Sequence, residues 1–328
     1  MVHAIWDAYP DIQRELAEVR RIMLTELRIK MPDVEAKIME YIQAPGKYLR
    51  SGLCLMFAKL CYGHIPKSKL YLAAAIEVLH LATLIHDDVI DGADTRRGIM
   101  TLHQQHSNRM AIYAGDYLMT YAARLASKGQ QAVDVDVNPI DHWVLESILV
   151  GELNQLANQF RTDMSMYDYL RQIRGKTGLL FAASTFAGYY DNTHSASANK
   201  QAFYIGQAIG MAFQLTDDLI DYQVSAQQAG KPQLQDVQNG VYTAPLILAM
   251  NEPHSKVRPL LKPKGEPWSE AELSELHHYL IEYKAYERTE ALVESYLQKA
   301  FQRLEKLTAS SYRQEIRQLM ETVMQRRF

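Results

Sequence analysis

Cysteine is nearly absent. Cys54 and Cys61 are the only two, seven apart on one apparent helical face. They read as small buried hydrophobes, not a disulfide or metal site, and no Cys/His cluster with zinc spacing accompanies them. Long basic runs and basic–aromatic stripes are missing too, and the net charge is −3, which argues against nucleic acid as a partner. No alternating apolar–polar run of useful length predicts a strand. The stretch Met1-Val-His-Ala-Ile-Trp-Asp7 has neither the charge nor the apolar run of a signal peptide. The longest apolar run, Leu70 to Ile85, is interrupted by Glu77 and His80 and is short for a bilayer span. These absences predict a reduced, cytoplasmic protein with no transmembrane segment.

What is present is helical spacing almost throughout. Hydrophobic residues make up 48% of the chain, enough for a sizeable core. Ile12, Leu16, Val19, Ile22 and Met23 form a stripe after Pro10-Asp11, a start signal. Further helices are expected over Arg50 to Cys61, Leu70 to Asp91, Met110 to Leu125, from Pro139 to Phe160, Met166 to Ile173, Leu179 to Tyr189, Lys200 to Tyr222 and Pro245 to Met250. Ala226 to Val241 reads as a loop, and Ser269-x-x-Glu272 as a capping box ahead of two amphipathic helices. The prediction is a single all-α domain over residues 1–328, a helical bundle around a central apolar cavity.

The organising stretch is Leu81 to Gly98. Asp87, Asp88 and Asp91 stand at i, i+1 and i+4, within an arc of roughly 100° on a helix, so the three carboxylates share a face. The residues before them, Ala73 to Ile85, are almost all apolar, which marks a buried helix. Like charges about 4 Å apart repel by several kcal/mol at an effective dielectric near 20, and a divalent cation would offset that. Asp217, Asp218 and Asp221 repeat the pattern after a second apolar run, Ile209 to Leu215. Either motif alone could be a solvated helix end. Two motifs, each adjoining an apolar helix, point to several metal ions and an anionic ligand. Mg²⁺ fits best, because it prefers hard oxygens, keeps waters and shares substrate phosphates.

Cations cluster beside turn glycines: Lys47 and Arg50 after Gly46, Arg96-Arg97 before Gly98, Lys176-Thr177 between Gly175 and Gly178, and Lys231 after Gly230. As a set they could form two phosphate sites, one bridged by metal and one of Lys and Arg alone. Gly175-Lys-Thr is not a P-loop, since position 170 is Leu and no strand precedes it. His80, seven before Asp87, lies on that acidic face, and Gln214, three before Asp217, faces the second cluster.

Together these pieces resemble the trans-polyprenyl diphosphate synthases, densely from Gly46 to Leu248. Gly46-Lys-x-x-Arg50, Asp87-Asp-x-x-Asp91 with Arg96-Arg-Gly98, Gly151-Glu152 with Gln155, Lys176-Thr177, Phe213-Gln-x-x-Asp-Asp-x-x-Asp221 and Gly230-Lys-Pro232 carry the likeness. The run Ser107 to Leu118 looks most like catalytic subunits of bacterial hexaprenyl and heptaprenyl diphosphate synthases. The resemblance implies an isoprenoid-synthase-type bundle and three Mg²⁺. It implies Asp87, Asp91 and Asp217 as direct ligands, with Asp88, Asp218 and Asp221 holding ligands or waters. It gives Arg96, Lys176, Gln214 and Lys231 to the allylic diphosphate, Lys47, Arg50, His80 and Arg97 to isopentenyl diphosphate, and places Thr177 near the reacting carbons. It implies a homodimer, or a heterodimer with a small regulatory subunit. Tyr48 and Ser51 depart from it, standing where relatives usually have Arg and Pro.

Relatives that make short products carry a bulky aromatic at the places of Ala82 and Thr83. Both are small here, so the expected product is longer than geranylgeranyl, of hexaprenyl or heptaprenyl size, with stoppers deeper, near Leu79, Ala75 or a facing helix. A geranylgeranyl diphosphate synthase is the nearest alternative. A class I terpene cyclase also carries DDxxD, but its second metal motif mixes Asn, Ser or Thr with Glu. A non-catalytic regulatory subunit would have lost its aspartates, and all six are here.

Overall fold

The computed structural model describes residues 3–131, 142–223 and 234–325. Backbone contacts gather the chain into two compact units. The first takes Met1–His142, Ala183–Phe203 and Leu307–Arg313; the second takes Trp143–Ala182, Tyr204–Lys306 and Gln314–Phe328.

In the first unit α1 (Pro10–Thr25), α2 (Pro32–Gln43), α3 (Leu49–Tyr62), α4 (Lys67–Asp91), α5 (Leu102–Gln105) and α6 (Asn108–Gln131) follow one another. Pro10 and Pro32 open α1 and α2 where a missing N–H costs nothing. α4 packs most extensively against α6, then against α3 and α1. Alanine makes that closeness feasible: Ala73, Ala74, Ala75 and Ala82 on α4, and Ala111, Ala114, Ala122 and Ala126 on α6, are all buried. The α4 helix is long and apolar enough to cross a bilayer, because it extends the apolar run at both ends, yet 78% of its apolar window is buried inside the protein. Between α4 and α5 a two-residue pair, β1 (Thr95–Arg96) with β2 (Ile99–Met100), makes an antiparallel hairpin. Its turn carries Arg97 at φ 53° and Gly98 at φ 78°.

In the second unit the elements are α7 (His142–Ala157), α8 (Met166–Ile173), a π-helical turn (Arg174–Gly178), α9 (Leu179–Tyr189), α10 (Ala196–Gln223), α11 (Gln235–Gln238), α12 (Ala244–Met250), α13 (Glu270–Glu282), α14 (Ala285–Leu304) and α15 (Tyr312–Met324), with the 183–203 part of α9 and α10 belonging to the first unit. Their core runs through Tyr169, Leu215, Tyr222, Leu246, Leu276 and Leu280. The capping box at Ser269 forms: the Ser269 hydroxyl accepts from Glu272 N–H, and the Glu272 carboxylate accepts from Ser269 N–H at 2.8 Å.

The all-α class is as the sequence predicts, with differences in detail. α2, the short α5 and the β1–β2 hairpin have no sequence-predicted counterpart. Three helices, α13 to α15, follow the capping box where two are expected, because Tyr283-Lys284 breaks the run, with Lys284 at φ 52°. α11 forms inside the expected loop. The helix start at Pro139 and the Gly230-Lys231-Pro232 piece lie outside the described residues.

Candidate active site

Both acidic motifs sit on long helices. Asp87, Asp88 and Asp91 end α4, which is closed by Gly92 at φ 63°; Asp217, Asp218 and Asp221 lie on α10, whose described residues run to Gln223. The last turn of α4 carries no basic residue. A helix C-terminus bears roughly half a negative charge, so carboxylates there face the helix dipole as well as each other. At α4 this placement runs against the helix dipole, a local conflict of the kind expected at functional sites.

In the first unit Asp88 is buried, Asp87 half-buried and Asp91 exposed. Arg96 on β1 donates to Asp88 Oδ1 at 2.5 Å. Burial still pushes the Asp88 carboxyl above the usual carboxylate range, against the pull of Arg96. Asp88 Oδ2 is buried and has no hydrogen-bond partner.

About two to three turns deeper on α4 is a second charged group. His80 and Glu77 line a cleft with Tyr41, Tyr48 and Arg97, walled by Met23, Ile42, Leu81 and Leu84. Arg50 on α3 meets His80 Nε2 at 3.1 Å. A guanidinium only donates, so Nε2 accepts and the His80 proton sits on Nδ1. Burial, then Arg50, Arg97 and Arg96, hold His80 well below its usual range, so it is neutral. Glu77 is the countercharge. Ser51 donates to Glu77 Oε2 at 3.0 Å, and burial raises the carboxyl against the pull of Arg97 and Arg50. Gly46 matters here for space: a Cβ on it would lie 2.8 Å from Arg97 Nη1.

A carboxyl whose range is raised on folding stabilises the protein fully below its ordinary value of 4.5, and that contribution is lost as pH climbs. Glu77→Gln has no such loss. Thermal melts should therefore show the variant gaining on the parent as pH rises above about 4.5; a constant gap would contradict this assignment.

In the second unit the π-helical turn carries Lys176 and Thr177. Wide turns of this kind recur at functional sites. Glycines hold it close to its neighbours: a Cβ on Gly151 of α7 would lie 2.5 Å from Lys176 N, and one on Gly210 of α10 would lie 2.8 Å from Gly178 Cα. The result is a connected set. Lys176 pairs with Glu152 at 2.8 Å. Thr177 donates to Gln214 Oε1 at 2.7 Å, and Gln214 Nε2 donates to Asp218 Oδ1 at 2.9 Å. Tyr169 donates to Asp218 Oδ2. Both Asp218 oxygens are thus engaged by side chains, and burial raises its carboxyl to about 7. Asp217 and Asp221 are half-buried, and Asp221 Oδ2 accepts from Asp236 N–H at 3.4 Å.

The structure therefore joins Arg50, His80 and Arg97 in one group, Arg96 with Asp88 in another, and Thr177, Gln214 and Asp218 in a third. Lys47 is half-buried on the turn before α3. Lys231 lies outside the described residues. Leu79 and Ala82 are buried in α4, and half-buried Thr83 donates to His80 O at 2.8 Å. Glu77, Ser51, Tyr169 and Glu152 have no assigned role in the sequence reading. Glu77 was visible as an acid in an apolar run, three residues before His80 and so on its face; Tyr169 gave no signal.

Among the described residues, no three His, Cys, Asp or Glu side chains gather tightly enough to hold a metal ion. The donors in the two acidic motifs are carboxylate oxygens, the set that suits Mg²⁺ sharing its shell with water and phosphate. The buried, partnerless Asp88 Oδ2 bears on the fit, since a buried acceptor without a donor is costly and a cation or its water would relieve it. The residues present fit a divalent cation.

Comparison with known proteins agrees. The polyprenyl synthetase family model matches residues 32–280. Heptaprenyl diphosphate synthase component 2 of Geobacillus stearothermophilus is 33% identical over 95% of each chain. A geranylgeranyl pyrophosphate synthase from Lactobacillus brevis has a solved structure with TM-score 0.86 at 30% identity, covering 98% of this chain and 99% of that one. A polyprenyl synthase from Caulobacter crescentus, solved with calcium and isoprenyl diphosphate, gives 0.82 at 27% identity over 96% of each chain. The chain belongs to the polyprenyl synthetase family and is a trans-prenyltransferase.

Proposed function

We infer that the chain elongates an allylic diphosphate of the farnesyl or geranylgeranyl type with isopentenyl diphosphate, giving an all-trans product longer than geranylgeranyl. The observation that carries this is the cleft on α4. Arg50, neutral His80 and Arg97 meet beside Leu81, Leu84, Met23 and Ile42. Guanidinium donors next to a small apolar wall suit a diphosphate carrying a short hydrocarbon. Lys47 completes this set. Lys176, Arg96, Gln214 and Lys231 take the allylic diphosphate.

Asp87, Asp91 and Asp217 would hold Mg²⁺, with Asp88, Asp218 and Asp221 orienting ligands or waters; the Caulobacter relative binds a divalent cation with its isoprenyl diphosphate. Mg²⁺, when bound, supplies positive charge for the oxygens of the departing diphosphate. The chain's own cations, Lys176 and Arg96, strengthen the same stabilisation as the allylic C–O bond breaks and its electron pair leaves with diphosphate. The Gln214 amide fixes Thr177 close to the reacting carbons. Arg50, His80 and Arg97 orient the isopentenyl double bond, whose electrons form the new C–C bond. A proton is then lost to the departing diphosphate, restoring an allylic double bond. Leu81, Leu84 and their neighbours keep water from the carbocation.

Incubation with farnesyl and isopentenyl diphosphates and Mg²⁺ tests this. Isopentenyl diphosphate is consumed, and chromatography shows chains beyond geranylgeranyl; no consumption, even with an added small partner subunit, would overturn the reading. The name of the Geobacillus relative, a component 2, supports adding such a partner. Ala82 is the lever on length. Ala82→Phe adds a ring at a buried α4 position one turn from the motif, and the product should shorten by two or more prenyl units, about one per helical turn blocked. An unchanged chain length would remove α4 as the ruler.

A further inference from the structure

We propose that Trp6 is a positioning residue for the turn that presents Lys47 and Arg50 to isopentenyl diphosphate. The idea rests on the substrate reading above and adds to it a residue outside the family-matched segment, which begins at residue 32.

The turn between α2 and α3 carries Gly46, Lys47 and Tyr48, and it is held by side chains. Tyr48 sits at φ 50° as the residue before α3, and its hydroxyl donates to Ile42 O at 2.9 Å. Ser51 Oγ lies 3.1 Å from Tyr48 O. The third tie comes from far along the chain: the indole N–H of Trp6 donates to Lys47 O at 2.7 Å.

Trp6 is fully buried in a short 3₁₀ turn, Ala4–Trp6, braced edge-on by Tyr9 with ring centroids 6.2 Å apart. Its ring occupies the space over Gly52, where a Cβ would lie 2.1 Å from it. A buried indole needs an acceptor for its N–H, and many carbonyls could serve. Here the acceptor belongs to the residue whose side chain leads into the diphosphate set, and the ring rests on the first turn of the helix that carries Arg50. The other side of the turn touches the same set, through the approach of Arg97 Nη1 to Gly46. The peptide plane at Lys47 is thereby fixed between the indole and the cation cluster, which sets the direction in which Lys47 and Arg50 leave the backbone.

Trp6→Phe removes the N–H together with the outer ring atoms Cζ2, Cη2 and Cζ3 that lie over Gly52, so some loss of stability accompanies the kinetic effect. Loss of one neutral hydrogen bond predicts a rise in KM for isopentenyl diphosphate of about five- to tenfold, with kcat and the allylic KM unchanged within about twofold. A purely structural ring would lower the melting temperature and leave the KM alone, and that result overturns the proposal. Lys47→Ala is the companion variant. If it raises the same KM and Trp6→Phe does not, the positioning role fails and the substrate reading stands; if neither moves it, both fail. Should Trp6→Phe not fold, a single-tryptophan protein carrying Trp143→Phe and Trp268→Phe reports instead. Trp6 emission must then change on titration with isopentenyl diphosphate with the midpoint seen in turnover, and a silent Trp6 overturns the proposal.

Discussion

Replacing Asp87 by Ala should lower kcat by about a thousandfold, the scale of losing a main electrostatic contact to a leaving group, while the protein stays folded. The carboxylate sits half-buried at the C-terminal end of α4, beside buried Asp88 and exposed Asp91. Burial pushes the Asp88 carboxyl upward, and repulsion from Asp91 adds to it. Removing a third negative charge from a helix end that bears a negative dipole relieves repulsion and leaves no cavity in the core. Thermal unfolding is therefore expected to move by no more than a few degrees, in either direction. Asp217→Ala on α10 should behave the same way. The pairing of intact stability with collapsed turnover is what separates a ligand from a structural acid. A kcat within tenfold of the parent for both variants would remove the metal assignment.

Arg50→Ala has the second largest expected effect, and it divides into two parts. Binding loses a charged donor, so kcat/KM for isopentenyl diphosphate should fall by roughly a hundredfold or more. Stability also suffers, because Glu77 is buried and Arg50 is one of the two guanidiniums that offset its charge. Leaving a buried carboxylate less compensated costs about 2 kcal/mol. Adding Glu77→Gln to Arg50→Ala should return most of that stability and none of the affinity. Steady-state kinetics and denaturant melts on the four proteins of this cycle separate the two parts. Recovery of affinity in the double variant would show that Arg50 serves Glu77 and not the substrate.

The fold class was legible because α-helical periodicity covers nearly the whole chain and no strand pattern competes. Element starts with a chemical signal, such as Pro10-Asp11 and the Ser269 capping box, were marked in the sequence. The break at Lys284 was not, since a left-handed lysine leaves no trace in composition. Among the candidate site residues, the aspartates stood out because six acids in two like-spaced motifs each adjoin an apolar run. The partners that arrange them did not. Tyr169 reaches Asp218 from 49 positions away, and Trp6 reaches Lys47 from 41 away. Such pairs follow from tertiary packing, which no local pattern encodes. Glu77 lies between these cases. Its position in an apolar run was plain, but its meaning needed Ser51, Arg50 and Arg97 around it.

The central claim is that metal and diphosphate bind as one unit on carboxylates that do not cage a metal alone. Titration of Mn²⁺ by calorimetry, with and without an unreactive allylic thiolodiphosphate, tests it most directly. The expected result is metal affinity at least about tenfold higher with the analogue present, a gain of about 1.4 kcal/mol, and lost in both Asp87→Ala and Asp217→Ala. Equal metal affinity in the two titrations, or coupling that survives both substitutions, would contradict the account.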